Sequence, residues 1–249
     1  QMVDDGNSTR AKYVDCSKFI NTSSIAPDGS RVAFGARGDV WTVPAKSGIT
    51  RNLTQSDGVH DRSVAWSPDG KYIAYISDRT GEDEVFIQSQ DGKEEAIQLT
   101  KDSDTYKFSL SWSPDSRYIT WYDKMNRLNM VEVSSKKVTV VAENKTGEMR
   151  DYSWSADSRW IAYTMPSTFG VSQIHIYNVG SGKDEVVTEE LFNASNPAFD
   201  KSGKYLYFTS ERDFRPSYSW TEWNHIYTDM TRIYLVTLQK DTPSPFLTE

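Results

Sequence analysis

Three cations stand at matching places in this chain, each a few residues before a recurring Trp. Arg62 precedes Trp66, Lys107 precedes Trp112 and Arg150 precedes Trp154. His60 lies beside the first, and Asn196 lies in the matching segment before Phe199. Cations converging on one point suit the capture of a peptide's terminal carboxylate, because a guanidinium can donate two parallel hydrogen bonds to it. Four acids, Asp61, Asp104, Glu148 and Asp151, lie among these cations and dilute their field. An ordinary polar loop is the competing account of the same residues.

Other chemistries find less support. There is no Gly-x-Ser-x-Gly elbow for a serine nucleophile. The chain has three His, and no Ser, His and acid fall together on plausible shared loops. No catalytic residue is therefore expected. Asp28, Asp69, Asp115 and Asp157 are spaced one to a repeat, too far apart to converge on one ion, and read as turn formers. Cys16 is alone, which excludes an internal disulfide and argues against a thiolate metal site. No metal and no cofactor are expected. His175 sits between apolar neighbours and reads as a packed or rim residue. Arg79 and Arg212, in matching Ser-Asp-Arg and Ser-Glu-Arg contexts, read as loop-structuring ion pairs. The net charge of -7 with no basic stripe makes nucleic acid an unexpected partner. No apolar run approaches the roughly 18 residues needed to span a bilayer.

The elements that must position these residues come from a repeat. The phrase Trp-Ser-Pro-Asp-Gly, followed by two residues and an apolar triplet, recurs in varied form beginning at Ile25, Trp66, Trp112, Trp154 and Phe199. A period in the low forties, carrying short strands and tight turns, predicts β-propeller blades. In the second copy, strands are predicted over 63–67, 71–77, 84–89 and 96–100, with Pro-Asp-Gly closing the first hairpin. Third strands recur at 39–43, 127–133, 173–179 and 232–238, and fourth strands at 49–54, 137–142 and 185–189. The fifth repeat leaves only 245–248 for a fourth strand. Apolar residues alternate or cluster in fives and sixes, so no helix is predicted. The expectation is an all-β chain of about five four-stranded antiparallel blades. A lead-in covers residues 1–21, and repeats lie near 22–62, 63–107, 108–149, 150–194 and 195–249. The Pro-Asp-Gly turns fall on one face, and the cations on the other, around the axial opening.

One insertion breaks the rhythm. Residues 210–231 replace a connection of three residues in the first repeat and carry Phe214, Tyr218, Trp220, Trp223, His225 and Tyr227. Long loops in compact bodies are usually functional, and Tyr and Trp recur at contact surfaces. Arg212, Phe214, Arg215, Tyr218, Trp220 and Trp223 are expected to dock another domain or to plug the channel.

The run Trp66-Ser67-Pro68-Asp69-Gly70-Lys71-Tyr72-Ile73-Ala74-Tyr75 with Ser77-Asp78-Arg79-Thr80-Gly81 resembles the repeats of the tricorn proteases and of TolB propellers. The stretches Arg37 to Gly48 with Arg51-Asn52-Leu53-Thr54, and Ser210 to Pro216 with Met230 to Tyr234, favour the second tricorn propeller. That resemblance implies a larger parent with two propellers, a PDZ-like domain and a serine peptidase module absent from this sequence, and makes these five blades part of a larger, seven-bladed propeller. It implies a non-catalytic propeller that gates and guides oligopeptides and docks its parent's other domains, in the cytoplasm or periplasm of a prokaryote. A stand-alone TolB-like interaction module and the propeller of a prolyl-oligopeptidase-like enzyme are the alternatives. Because five blades leave two faces open, self-association through those faces is a further expectation.

Overall fold

Three copies of the repeated phrase, those beginning at Trp66, Trp112 and Trp154, fold as the same hydrogen-bonded knot. In a computed structural model describing residues 13, 15, 17–149, 151–214, 216–218 and 225–246, Ser67 Oγ donates to Asp69 Oδ1 (2.6 Å) and accepts the Tyr72 N–H (3.0 Å). Asp69 Oδ1 in turn accepts the Lys71 N–H at 3.1 Å. Ser113, Asp115 and Tyr118 repeat this arrangement, as do Ser155, Asp157 and Trp160. The turn aspartates are thus spent on their own turns. In the fifth copy Asp200 replaces the Ser and accepts the Lys204 and Tyr205 N–H groups itself. Burial pushes its carboxyl upward, but the Ser202 hydroxyl and three backbone amides outweigh that and hold it at about 2.

These turns organise five antiparallel sheets. Blade 1 comprises β1 (Ile20–Ile25), β2 (Arg31–Ala36), β3 (Asp39–Pro44) and β4 (Arg51–Asn52). Blade 2 comprises β5 (Arg62–Trp66), β6 (Tyr72–Ser77), β7 (Glu84–Ser89) and β8 (Ile97–Gln98). Blade 3 follows with β9 (Lys107–Trp112), β10 (Tyr118–Asp123), β11 (Arg127–Glu132) and β12 (Val138–Glu143). Blade 4 has β13 (Tyr152–Trp154), β14 (Trp160–Pro166), β15 (Ser172–Asn178) and β16 (Asp184–Val186). Strands pair in sequence order within each blade. Blade 5 has three described strands, β17 (Ala194–Phe199), β18 (Tyr205–Glu211) and β21 (Thr231–Thr237). Between β18 and β21 the insertion contributes a separate hairpin of β19 (Pro216–Tyr218) and β20 (His225–Tyr227). The sole helical element among the described residues is a 3-10 turn at Ser17–Phe19.

Several outer strands are shorter than the sequence predicts. The cause recurs in three blades. The Thr54, Thr100 and Thr188 hydroxyls accept the N–H groups of Val40, Val85 and Ile174 on the neighbouring third strands. A side chain thereby occupies a donor that a backbone carbonyl would otherwise bond, and the ladder stops. In blade 5, Pro245 and Phe246 form a turn rather than a fourth strand, and residues 247–249 lie outside the described ones.

The apolar interior is four separate layers, each between neighbouring blades. Ala26, Ala33, Val40 and Leu53 of blade 1 meet Val64, Trp66, Ile73, Tyr75 and Phe86 of blade 2. The next layers join blades 2 with 3, 3 with 4, and 4 with 5. The repeated triplet explains how one strand serves two layers. In Ile73-Ala74-Tyr75 the large side chains face back to blade 1, while Ala74 faces forward to blade 3. Successive side chains on a strand point to opposite faces, so a strand packed on both sides is buried almost throughout.

Two hydroxyls lock adjacent blades at the turn face. Ser116 and Ser158 stand where other repeats have Gly, and both adopt φ of 61°. The Ser116 hydroxyl accepts the Asp69 N–H, and the Ser158 hydroxyl accepts the Asp115 N–H, each at 3.0 Å. Ser158→Ala is expected to lower stability by about 1 kcal/mol in urea denaturation, since it keeps the backbone conformation and removes one hydrogen bond.

Candidate functional site

At the end opposite the Pro-Asp-Gly turns, the inner strands are bulged. The register slips between Arg62 and Ala65 in blade 2, between Ser195 and Ala198 in blade 5, and opposite Thr120–Tyr122 in blade 3. In each case one residue takes positive φ: Ser63 (57°), Asn196 (54°) and Ser109 (28°). All three stand three places before the aromatic residue that opens the repeated phrase. Bulges re-aim side chains and are frequent next to functional sites.

The structure brings Arg62 and Lys107 together, in a buried network rather than as free cations. Arg62 is 5% exposed; its Nη2 pairs with Asp83, and its guanidinium lies 3.9 Å from the Tyr106 ring centre. Asp83 Oδ2 also accepts the Lys107 N–H at 3.0 Å. Lys107 is 6% exposed; its ammonium donates to Ser103 Oγ and lies 3.9 Å from Glu84 Oε2. Glu84 accepts further bonds from the Thr100 hydroxyl and the Ser103 N–H. Two cations and two carboxylates therefore neutralise each other between blades 2 and 3. Burial pulls the Lys107 ammonium below its ordinary value, against the carboxylates of Glu84, Asp83, Asp123 and Asp104.

The surrounding acids are engaged as well. Asp61, fully buried, pairs with Arg79 at 3.2 Å. Asp104 pairs with Arg127 at 2.6 Å, and that bond holds its carboxyl below the usual range. His60 is exposed and donates its backbone N–H to Asp78. Asn196 is exposed, with its amide on the Ser195 and Thr209 hydroxyls. Arg150 lies outside the described residues. The carboxylate-capturing trio expected from the sequence thus reduces, among the described residues, to two cations already matched by acids.

What the mouth does present is aromatic. Tyr106, 44% exposed, packs edge-on against Phe108 (4.8 Å), which stacks on Tyr122 (4.9 Å). The Phe108–Tyr122 pair follows from their partnership across β9 and β10. From the Trp112–Ile119 pair Phe108 is four residues away and Tyr122 three, so the bulge is what brings the two rings opposite each other.

The insertion is anchored by a feature shared with blade 2. Arg79 Nε donates to Ser77 Oγ (2.9 Å), and its guanidinium covers Tyr75 and Phe86. Arg212 Nε donates to Ser210 Oγ (3.0 Å), and its guanidinium covers Phe208, Tyr234 and Phe192. Arg79 is the ion pair expected; Arg212 holds its loop by stacking on three rings. Phe214 is 60% exposed. Arg215, Trp220 and Trp223 lie outside the described residues, as does the Tyr218 side chain. His175 is packed as expected: its Nδ1 meets Asp184 at 2.9 Å, and its ring stacks on Tyr163.

The sequence that builds these successive blades matches a known family. The model for the tricorn protease second β-propeller domain covers residues 20–249. The chain belongs to the tricorn protease second-propeller family. It is 29% identical over 232 residues to tricorn protease homolog 1 of Streptomyces coelicolor, covering 90% of this chain and 22% of that relative. The tricorn protease homolog of Saccharolobus solfataricus is 24% identical, with 94% and 21% covered. The chain thus spans about a fifth of the length of these tricorn relatives. The tricorn protease crystal structure superposes with a TM-score of 0.83 at 22% identity, covering 92% of this chain and 22% of that one. A TolB structure from Agrobacterium tumefaciens gives 0.57 at 19% identity, covering 88% and 77%. Among the described residues no helix is long and apolar enough to cross a membrane.

Proposed function

We propose that this tricorn propeller does no chemistry itself but guides oligopeptides past its bulged inner strands and docks the other domains of a serine peptidase parent. The observation that supports this reading most directly is the state of the mouth. Its buried cations are neutralised, so it offers no strong trap for a charged terminus. Its exposed surface combines Tyr106 with His60, Ser109 and Asn196, a mixture that holds peptides weakly and lets them leave. The insertion beyond Arg212 supplies the docking element, with Phe214 exposed beside it. Likeness to a TolB propeller favours a second reading, a stand-alone protein-interaction module.

The test is an NMR titration of the labelled chain with unlabelled oligopeptides. Amide shifts are expected at Tyr106, Ser109 and Asn196, and Tyr106→Ala should weaken binding roughly tenfold, about 1.4 kcal/mol. Fluorogenic peptides should show no turnover that survives repurification. Shifts confined to other faces, or unaltered affinity in the variant, would remove the guiding role.

A further inference from the structure

A cavity of about 370 Å³ opens on the turn face between blades 4 and 5, lined in part by Trp160, Ile176, Phe199, Asp157, Glu185 and Gly203. It lies at the end of the strands opposite the mouth and owes nothing to the guiding role proposed above.

Two features of this junction open it. The first is at Phe199, where blades 3 and 4 carry Trp112 and Trp154. The Trp112 indole donates to Ala65 O of the preceding blade at 3.0 Å. The Trp154 indole donates to Thr120 Oγ1 and stacks on Tyr118 with ring centres 6.0 Å apart. Trp160 is the blade 4 counterpart of Tyr118, so the surface on which an indole rests at the previous junction is present here, faced by a smaller ring. The second is Gly203, which, like Gly29 and Gly70, lacks the hydroxyl with which Ser116 and Ser158 latch neighbouring turns. A Cβ built on Gly203 would meet nothing within 4 Å.

We propose that this cavity is a binding site for an aromatic side chain flanked by a positive charge on a peptide segment. The aromatic preference follows from Trp160, Ile176 and Phe199, which make an apolar slot where the repeat elsewhere seats an indole. The charge preference follows from the rim. Asp157 and Glu185 contribute two carboxylates against the one guanidinium of Arg159, which is 3.8 Å from Asp157 and largely exposed. Such a rim favours a cation entering beside the ring.

Fluorine NMR with fluorotryptophanamide, which is cationic at neutral pH, tests the site. Saturable binding is expected, with anionic fluoroindole-propionate at least roughly fivefold weaker. Phe199→Trp with Gly203→Ser should fill the slot and weaken the amide probe at least roughly tenfold. Glu185→Lys, an exposed change that leaves the core intact, should erase the difference between the two probes even if the filling variant folds poorly. No saturable binding to the wild-type chain overturns the proposal. So does binding unchanged by the filled slot, or a preference for the cationic probe that survives Glu185→Lys.

Discussion

Asp83→Ala is expected to cost about 3–5 kcal/mol of folding stability, the penalty for removing one partner of a buried ion pair. Asp83 is 12% exposed and answers two groups at once, the Arg62 guanidinium and the Lys107 backbone N–H. Without it, Arg62 keeps its charge beneath Tyr106 with Nη1 already lacking a hydrogen-bond partner. Lys107 loses one of the carboxylates that offset its burial. The exposed pair Lys93–Asp91 is the control: its ammonium is 82% exposed, and Lys93→Ala should change stability by less than about 0.5 kcal/mol. Urea denaturation of both variants measures the difference. The double change Arg62→Met with Asp83→Leu should recover much of the loss, because a buried pair replaced by apolar groups of similar size is often nearly neutral. An Asp83→Ala loss below about 1 kcal/mol would mean that water reaches the network and that its cations are available after all.

That network also marks how far the sequence can be read. Pro-Asp-Gly at a period in the low forties fixes the hairpins, and the Ile-Ala-Tyr triplet states which side chain faces which neighbour. These are local or nearest-neighbour facts, and residues such as Ser67, Asp69 and Ala74 lie where the repeat puts them. The pairing of Arg62 and Lys107 is not legible in the sequence, because the acids that meet their charges, Asp83 and Glu84, lie at the end of the loop before the third strand and at that strand's first residue. Nothing in spacing along the chain announces that this loop reaches the start of β9. The shortened outer strands depended on Thr54, Thr100 and Thr188, whose hydroxyls cross to a neighbouring strand. The recurring Leu-Thr, Leu-Thr and Val-Thr pairs at those places carried that signal. Arg212 follows Arg79 in its bond to the Ser two places back, yet differs in what surrounds it, since rings from Phe192, Phe208 and Tyr234 converge only in the folded blade.

Ile161→Ala is expected to cost about 2–5 kcal/mol, the range for truncating a fully buried aliphatic side chain that leaves a cavity. Ile161 is 0% exposed and packs with Leu128, Met130 and Val141 across the junction of blades 3 and 4. Ile161→Val, which removes one methylene, should cost about 0.5–1.5 kcal/mol at the same site. Where that loss is felt is the stronger test. The apolar interior is divided into four layers, so Ile161 shares no layer with Trp66 or Tyr75. In chains whose units contact only their neighbours, stability is close to a sum of unit and interface contributions. Amide exchange should therefore accelerate in β10, β11, β14 and β15 while β2, β3 and β6 keep most of their protection. Equal acceleration in all blades would show that the arc unfolds as one unit, held by something other than its layers. Protection retained in blades 1 and 2 would show that each wedge answers first to its own neighbours, which is the property a ring needs if individual blades are to diverge, as the fifth has at Phe199, without unravelling the rest.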